Sequence, residues 1–343
     1  MTRPVGYYVH HHGAGHRARA LAVAERADGR VTLIGTNLTG QTGSHAYVDL
    51  PDDRLHAAFD GDDSGGDRPA ALHYAPLDHD GIRRRVAAVT QWIAEHRPAL
   101  MVVDVSCEIA MLARLASVPT VFVRLNGVRN DIPHLDAFRA ATAIVAPFAA
   151  ALDDPETPDW VRRKTRYCPG VTNRADPDAV EPGSVLVVGG GGGSPIDSAV
   201  WARAARATPD RTWRVIGACT PIVDPPGNLE RFGWVDDAAA RIARTAIVVG
   251  SAGDGVVGAV LAARRPFVCL PEDRPFDEQR SKARQLVAAG AALSCNDPAT
   301  ADWPSLLAKV EHRDPAAQAA LDDPRGADRL AAYVIALADG DRG

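Results

Sequence analysis

The chain reads as an α/β protein of two domains, each built on a parallel sheet. Strand-like and helix-like hydrophobic patterns alternate along its whole length, which is the signature of helices crossing over parallel strands. Three apolar strands, beginning at Val5, Val185 and Ala246, run directly into small-residue turns that open helices. With 343 residues, 46% hydrophobic and 24% charged, the chain is long enough for two domains with separate cores. The break falls in a stretch rich in Pro and Asp, residues 172–183, and divides 1–176 from 177–343.

Residues 5–10 form the first strand by their β-branched and aromatic content. Gly13-Ala14-Gly15-His16 follows, and then a helix carrying Ala18, Leu21, Ala22 and Ala24. A dinucleotide fingerprint is not met, because His16 stands where that pattern continues towards its third glycine. A metal set at His10, His11 and His12 is disfavoured, since strand alternation sends neighbouring side chains to opposite faces. Further strands are expected at 31–35, 100–105, 120–123 and 143–146. Residues 60–69 (DGDDSGGDRP) read as a mobile acidic loop. The basic groups at 83–85 and 162–166 read as solvated helix faces.

In the second half, residues 185–193 (VLVVGGGGG) end a strand in five glycines that let a phosphate or an acceptor approach the backbone. Ser194 and Pro195 then lead into a helix from Ile196. A dinucleotide site would carry an acidic residue roughly 20 positions on; Thr208, Pro209 and Asp210 make a loop there. Residues 246–250 are a buried strand, and a helix starting near Gly253 carries Val256, Val257, Val260 and Leu261. Arg264 and Arg265 end it, and Pro266 opens a strand over 267–270. The free N–H groups and partial positive charge of such a helix start suit a diphosphate, the alternative being a doubly wound sheet with no ligand there. Glu272, Asp273, Asp277, Glu278 and Gln279 then offer carboxylate and amide groups suited to sugar hydroxyls. Asp277 and Glu278 could equally cap the next helix, which passes Ala283, Leu286 and Val287 and stops at Gly290.

A net charge of −5 and the lack of a Lys/Arg run exclude nucleic acid as a default partner. The five cysteines are odd in number and widely spaced, which reads as reduced core thiols in a cytoplasmic protein. No signal-peptide pattern and no apolar run of about 20 residues is found, so no transmembrane segment is expected.

The block from Ser251 to Gly290 resembles the donor-binding half of the GT-B glycosyltransferases. That half has a glycine-containing helix start, an apolar strand, a proline, an Asp/Glu-Gln pair and a helix ending in Gly; here Glu278-Gln279 is followed by Gly290 eleven residues after the Gln. Phe232-Gly233-Trp234-Val235-Asp236 resembles the segment that precedes this motif. Gly15-His16 with Ala20-Leu21-Ala22 resembles the first glycine loop of the N-acetylglucosaminyltransferases that form lipid II. The resemblance implies a GT-B fold, two Rossmann-like domains whose parallel sheets face each other across a cleft, with the last helix (325–337) crossing back onto the first domain. It implies donor contacts from Gly190, Gly191, Gly192, Ser194, Trp234, Val235, Ser251, Ala252, Gly253, Asp254, Gly255, Asp277, Glu278 and Gln279, and acceptor contacts from His12, Gly13, Gly15 and Asn126.

The implied reaction moves a sugar from a nucleotide sugar, with UDP the expected nucleotide, to an acceptor hydroxyl, with inversion and without a metal or other cofactor. His16 is the expected base, histidine being the side chain that exchanges a proton near neutral pH; alternatively it only caps the helix and orients the loop. Asp104, in VVDVS, orients that histidine, is itself the base, or caps a helix beginning near Ser106. A small-molecule and a lipid-linked acceptor both stay open, and a homodimer is compatible with the reading. Four departures stand out: Ala259 where members carry a ribose-binding Glu, Ser251 where plant-type members carry a His, Lys282 where an Asn is common, and Arg19 in place of a loop proline. They keep a catalytically silent nucleotide-sugar binder and a GT-B sugar epimerase as alternatives.

Overall fold

The computed structural model describes residues 2–11, 14–63, 68–175, 179–190 and 196–341. In the first half the elements run β1 (Val5–Val9), α1 (Ala14–Ala24), β2 (Val31–Gly35), β3 (Tyr47–Asp49), α2 (Asp80–His96), β4 (Leu100–Asp104), α3 (Cys107–Leu115), β5 (Thr120–Val123), α4 (Ile132–Ala140), β6 (Ala143–Ala146), α5 (Asp159–Lys164) and β7 (Thr165–Tyr167). They make a seven-stranded sheet, order β3-β2-β1-β4-β5-β6-β7, with every pairing parallel.

The second half runs β8 (Glu181–Val188), α6 (Ser198–Ala207), β9 (Thr212–Ile216), β10 (Leu229–Gly233), α7 (Ala238–Arg244), β11 (Thr245–Gly250), α8 (Asp254–Ala263), β12 (Phe267–Cys269), α9 (Glu278–Ala288), β13 (Leu293–Ser294), α10 (Trp303–Glu311), α11 (Pro315–Ala319) and α12 (Gly326–Ala338). Its six strands, order β10-β9-β8-β11-β12-β13, are again parallel throughout. Both orders reverse direction after the first-formed strand, the doubly wound pattern that opens a ligand crevice at the carboxyl ends of the two central strands.

Strand alternation explains the layers. In the first sheet Tyr7, Val9, Val102 and Val121 pack against α1 and α12, while Tyr8, Met101, Val103 and Phe122 pack against α2, α3 and α4. In the second, Leu186, Val188 and Val248 face α8 and α9, and Val187, Val249 and Val268 face a cluster of Trp201, Trp213 and Trp303. α12 reaches back from the second half: Leu330, Ala331 and Val334 are buried against the first sheet, and Arg26 and Arg30 pair with Asp328 and Asp339. The crossing is close, since a Cβ on Gly326 would overlap the Pro169 carbonyl.

Several sequence expectations are corrected. β8 starts at Glu181, inside the stretch read as linker, and α6 starts at Ser198, where the Asp197 side chain accepts from Ala199 N, rather than at Ile196. Arg85 is not solvated: it is buried and donates to Tyr8 Oη and Thr36 Oγ1 at 2.9 and 2.6 Å, with Asp53 3.1 Å away. β1 ends at Val9, so alternation does not part His10 from His11, whose ring centroids are 4.8 Å apart. In the loop read as mobile, residues 64–67 lie outside the described residues, and Asp62 at its edge exchanges two backbone hydrogen bonds with Leu77. All five cysteines are free, four buried and Cys219 half-buried. Among the described residues no helix is long and apolar enough to cross a membrane.

Candidate functional site

Each sheet brings one loop pair to its switch point. In the first sheet the turn after β1 leads into α1 with His16, and β4 ends at Asp104 beside it. In the second, β8 ends towards Gly189 and Gly190, and β11 ends at Ser251, Ala252 and Gly253. The two crevices meet, since a Cβ on Gly15 would lie 3.9 Å from Asp254 Cβ; within the second crevice, a Cβ on Gly190 would lie 3.6 Å from Ser251 Oγ.

A chain of charges links the halves. His16 Nδ1 lies 3.0 Å from Asp104 Oδ1, with the Asp104 side chain fully buried and the His16 side chain 11% exposed. Arg19 forks between two carboxylates, Nη1 donating to Asp104 Oδ2 at 3.0 Å and Nη2 to Asp254 Oδ2 at 2.9 Å. Lys282, on α9 and buried, donates to Asp254 Oδ1. Burial pushes the Asp104 carboxyl up, but Arg19 and His16 outweigh it and hold the group below the usual carboxylate range. Asp254 is held far below that range, since Lys282 and Arg19 overcome the effect of burial. Arg19 is correspondingly raised: burial works against its charge and the two carboxylates prevail. Beneath the array, burial and then Asp104 raise the Tyr7 phenol.

Asp104 is not a helix cap. The Ser106 side chain caps α3 by accepting from Ile109 N at 3.3 Å, which leaves Asp104 to the charge array. His16 turns Nδ1 towards Asp104, although among the described residues that nitrogen makes no hydrogen bond of ordinary geometry.

In the second half α8 opens at Gly253 without a side-chain cap, so among the described residues its first-turn N–H groups lack a capping partner. Ser251 Oγ accepts weakly from Gly253 N at 3.4 Å, and Gly255 faces open space. Gln279 is buried and its Oε1 ties the two loops together, accepting from Ala252 N at 3.1 Å and Glu272 N at 2.9 Å. Asp277 and Glu278 do not cap α9: Asp277 has φ 54° and makes no capping bond. It pairs instead with Arg284 at 2.7 Å, and Glu278 crosses to the first half and pairs with Arg129 at 2.9 Å. Trp234 is 64% exposed, while Val235 packs partly against the core beneath α8. Gly191, Gly192, Ser194, His12 and Gly13 lie outside the described residues. Asn126 is buried, its Nδ2 donating to the Leu152 carbonyl at 2.6 Å and its Oδ1 without a hydrogen-bond partner.

A second interdomain contact escaped the sequence. Phe276, with φ 63°, sits between His73, His134 and Arg129, with ring centroids 5.3 and 4.8 Å away and the guanidinium 4.6 Å above its ring. Its carbonyl accepts from Val128 N at 2.8 Å. Burial, and then the Arg129 charge, push the His134 imidazole down to about 4. Arg129 itself is lowered by burial, which Glu278 only partly offsets. Arg129, Phe276 and His73 carried no motif, since each acts only through partners far away in sequence. Arg19 and Lys282 were visible only as departures from a pattern.

No family model matches the chain. A curated relative, the UDP-N-acetylglucosamine–N-acetylmuramyl-(pentapeptide) pyrophosphoryl-undecaprenol N-acetylglucosamine transferase of Leuconostoc mesenteroides, is 25% identical over 228 residues, 60% of this chain and 61% of that relative's length. Among solved structures, the glycosyltransferase SnogD from Streptomyces nogalater matches with a TM-score of 0.68 at 16% identity, covering 98% of this chain and 99% of that one. The spinosyn rhamnosyltransferase SpnG complexed with thymidine diphosphate matches with a TM-score of 0.63 at 15% identity, covering 98% and 96%. With two parallel sheets of the same doubly wound order meeting at their switch points, and near full-length likeness to these structures, the chain has the GT-B glycosyltransferase fold.

Proposed function

We propose that the protein transfers a sugar from a nucleoside diphosphate donor, most simply a UDP-sugar, to an acceptor hydroxyl. The observation that carries this reading is the 3.0 Å contact between His16 Nδ1 and the buried Asp104, set opposite the uncapped start of α8. His16 Nε2 takes the proton from the acceptor hydroxyl as its oxygen attacks the anomeric carbon in line. The bond from that carbon to the diphosphate breaks, the configuration inverts, and the leaving diphosphate is received by the α8 N–H groups without a metal. Asp104 keeps the imidazole in the productive tautomer. Ser251, Gly253, Gly255 and Gly190 line the diphosphate seat, while Asp277, Glu278 and Gln279 stand where the sugar hydroxyls would fall. Gly15 and Asn126, whose buried Oδ1 has no hydrogen-bond partner among the described residues, are assigned to the acceptor on this reading.

A silent nucleotide-sugar binder is the second reading, favoured by one observation: Ala259, at the ribose position, is buried in the core and offers no polar group. Thermal shift with UDP, dTDP and GDP, with magnesium and with EDTA, decides the donor, because a ligand of the native state raises Tm by mass action. Turnover of the preferred donor sugar by the wild type and by His16→Ala decides between the readings. The transferase reading expects the variant to keep nucleotide binding and to lose about 100-fold or more in rate; unchanged turnover removes His16 from the base role.

A further inference from the structure

At the amino ends of β12 and β13, the opposite end of the second sheet from the cleft, lies a cavity of about 370 Å³. Three guanidinium groups line it: Arg264 and Arg265, which close α8, and Arg313, which follows α10. The four buried arginines among the described residues, Arg19, Arg85, Arg124 and Arg129, each face a carboxylate. These three have no carboxylate partner among the described residues. Arg265 is half-buried and, among the described residues, its side chain's one hydrogen bond is from Nε to the Ala263 carbonyl at 2.8 Å, so burial alone lowers its pKa. Arg313 uses Nη1 on the Gly290 carbonyl at 2.8 Å and keeps Nη2.

The two carboxylates in the lining are committed elsewhere. Glu311 pairs with Arg211 at 2.9 Å through Oε2, and Asp314 Oδ1 caps α11 by accepting from Ala316 N at 2.8 Å. The wall is rigid: buried Gln318 donates to the carbonyls of Arg265 and Ala291 at 2.7 and 3.0 Å. In a chain of net charge −5 this is a preformed basic concavity of ligand size.

We propose that this cavity binds a phosphate-bearing anion, on guanidinium forks whose planar donors match phosphate oxygens. The site is separate from the cleft and holds whether or not the chain transfers sugars. The test is calorimetric titration of the whole protein with inorganic pyrophosphate, and co-sedimentation with phosphatidylglycerol and phosphatidylcholine vesicles. Both are repeated on the double variant Arg265→Gln/Arg313→Gln, with circular dichroism as the fold control. Saturable pyrophosphate binding weakened about tenfold or more in the double variant supports a free phosphate ligand. Selective binding to the anionic vesicles, lost in the double variant, supports a lipid phosphate. Asp314→Asn keeps a capping side chain and removes a like charge, so it tightens anion binding several-fold, roughly the effect of one nearby charge. Wild-type protein that binds neither probe, or affinities unchanged in both variants, would overturn the proposal.

Discussion

Replacing Arg19 by Met removes the one cation shared by Asp104 and Asp254. Asp254 keeps Lys282 and its side chain is 26% exposed, whereas Asp104 is fully buried and keeps His16, with His10 nearby. Breaking a buried ion pair by deleting one partner costs about 3–5 kcal/mol. The lower end is expected here, because each carboxylate retains a neighbour.

The pH dependence identifies the cause. In the wild type the folded Asp104 titrates below its ordinary value, so its contribution is present above about pH 4 and is lost as the pH falls through the folded pKa. Without Arg19 the burial effect, the largest single influence on this group, is opposed only by His16 and His10, and the folded pKa is expected to rise above the unfolded one. The variant then loses stability as pH rises from about 4, whereas the wild-type contribution has been gained below about pH 4 and stays constant above it. The difference between the two proteins is therefore smallest at acid pH, below the wild-type folded pKa, widens as the pH rises and reaches about 3 kcal/mol near neutrality. Urea unfolding of both proteins at several pH values reads this, with Asp254 adding to the Asp104 effect and groups remote from Arg19 cancelling in the difference. A gap below about 1 kcal/mol at neutral pH, or one that does not change with pH, refutes the view that Arg19 holds Asp104 ionised.

His134 gives a separate pH window. Its folded pKa of about 4 lies below that of an exposed histidine, so the unfolded chain takes up a proton first and stability falls as the pH drops from about 6.5 to about 4, by up to roughly 3 kcal/mol. His134→Gln flattens that slope in urea titrations. Gly127, at φ 97°, places a Cβ against the Phe276 carbonyl, whereas Gly40, at φ 73°, has open space around it. Gly127→Ala therefore costs about 1–3 kcal/mol more than Gly40→Ala, which meets only the left-handed backbone penalty; equal Tm losses would show that the Phe276 contact is not held in solution.

What was legible in the sequence is what short-range chemistry decides. Strands such as β2, β5 and β6 are continuous β-branched or apolar runs, and α8 is bounded by Gly253 and the Arg264-Arg265-Pro266 stop, so their limits follow from neighbours alone. The edge strands β3, β7 and β13 are two or three residues long and leave no periodicity to read. The linker misreading has the same origin: Glu181, Pro182 and Gly183 look like a breaker, yet pairing of β8 with its neighbours draws Glu181 into the sheet. At the site, His16 and Asp104 could be named because a loop and a strand end mark them. Their 3.0 Å contact depends on β1 and β4 being neighbours in the sheet, which no local pattern encodes.

The departures from the family pattern change meaning once they are seen in space. Arg19 and Lys282, read separately, are two losses of an expected residue; in the fold both converge on Asp254. An aspartate in the first turn of α8 would by itself repel a diphosphate at the helix start. Flanked by an ammonium and a shared guanidinium, it becomes part of a balanced set of two carboxylates and two cations reaching from His16 to α9. A diphosphate arriving at Gly253 would compete with Asp254 for those two cations, and one of them also holds Asp104. Donor binding and the setting of the His16–Asp104 pair are then joined through a single side chain. If the proposed transfer is right, substitutions at Asp254 alter the His16–Asp104 pair on the opposite domain as well as the affinity for nucleotide.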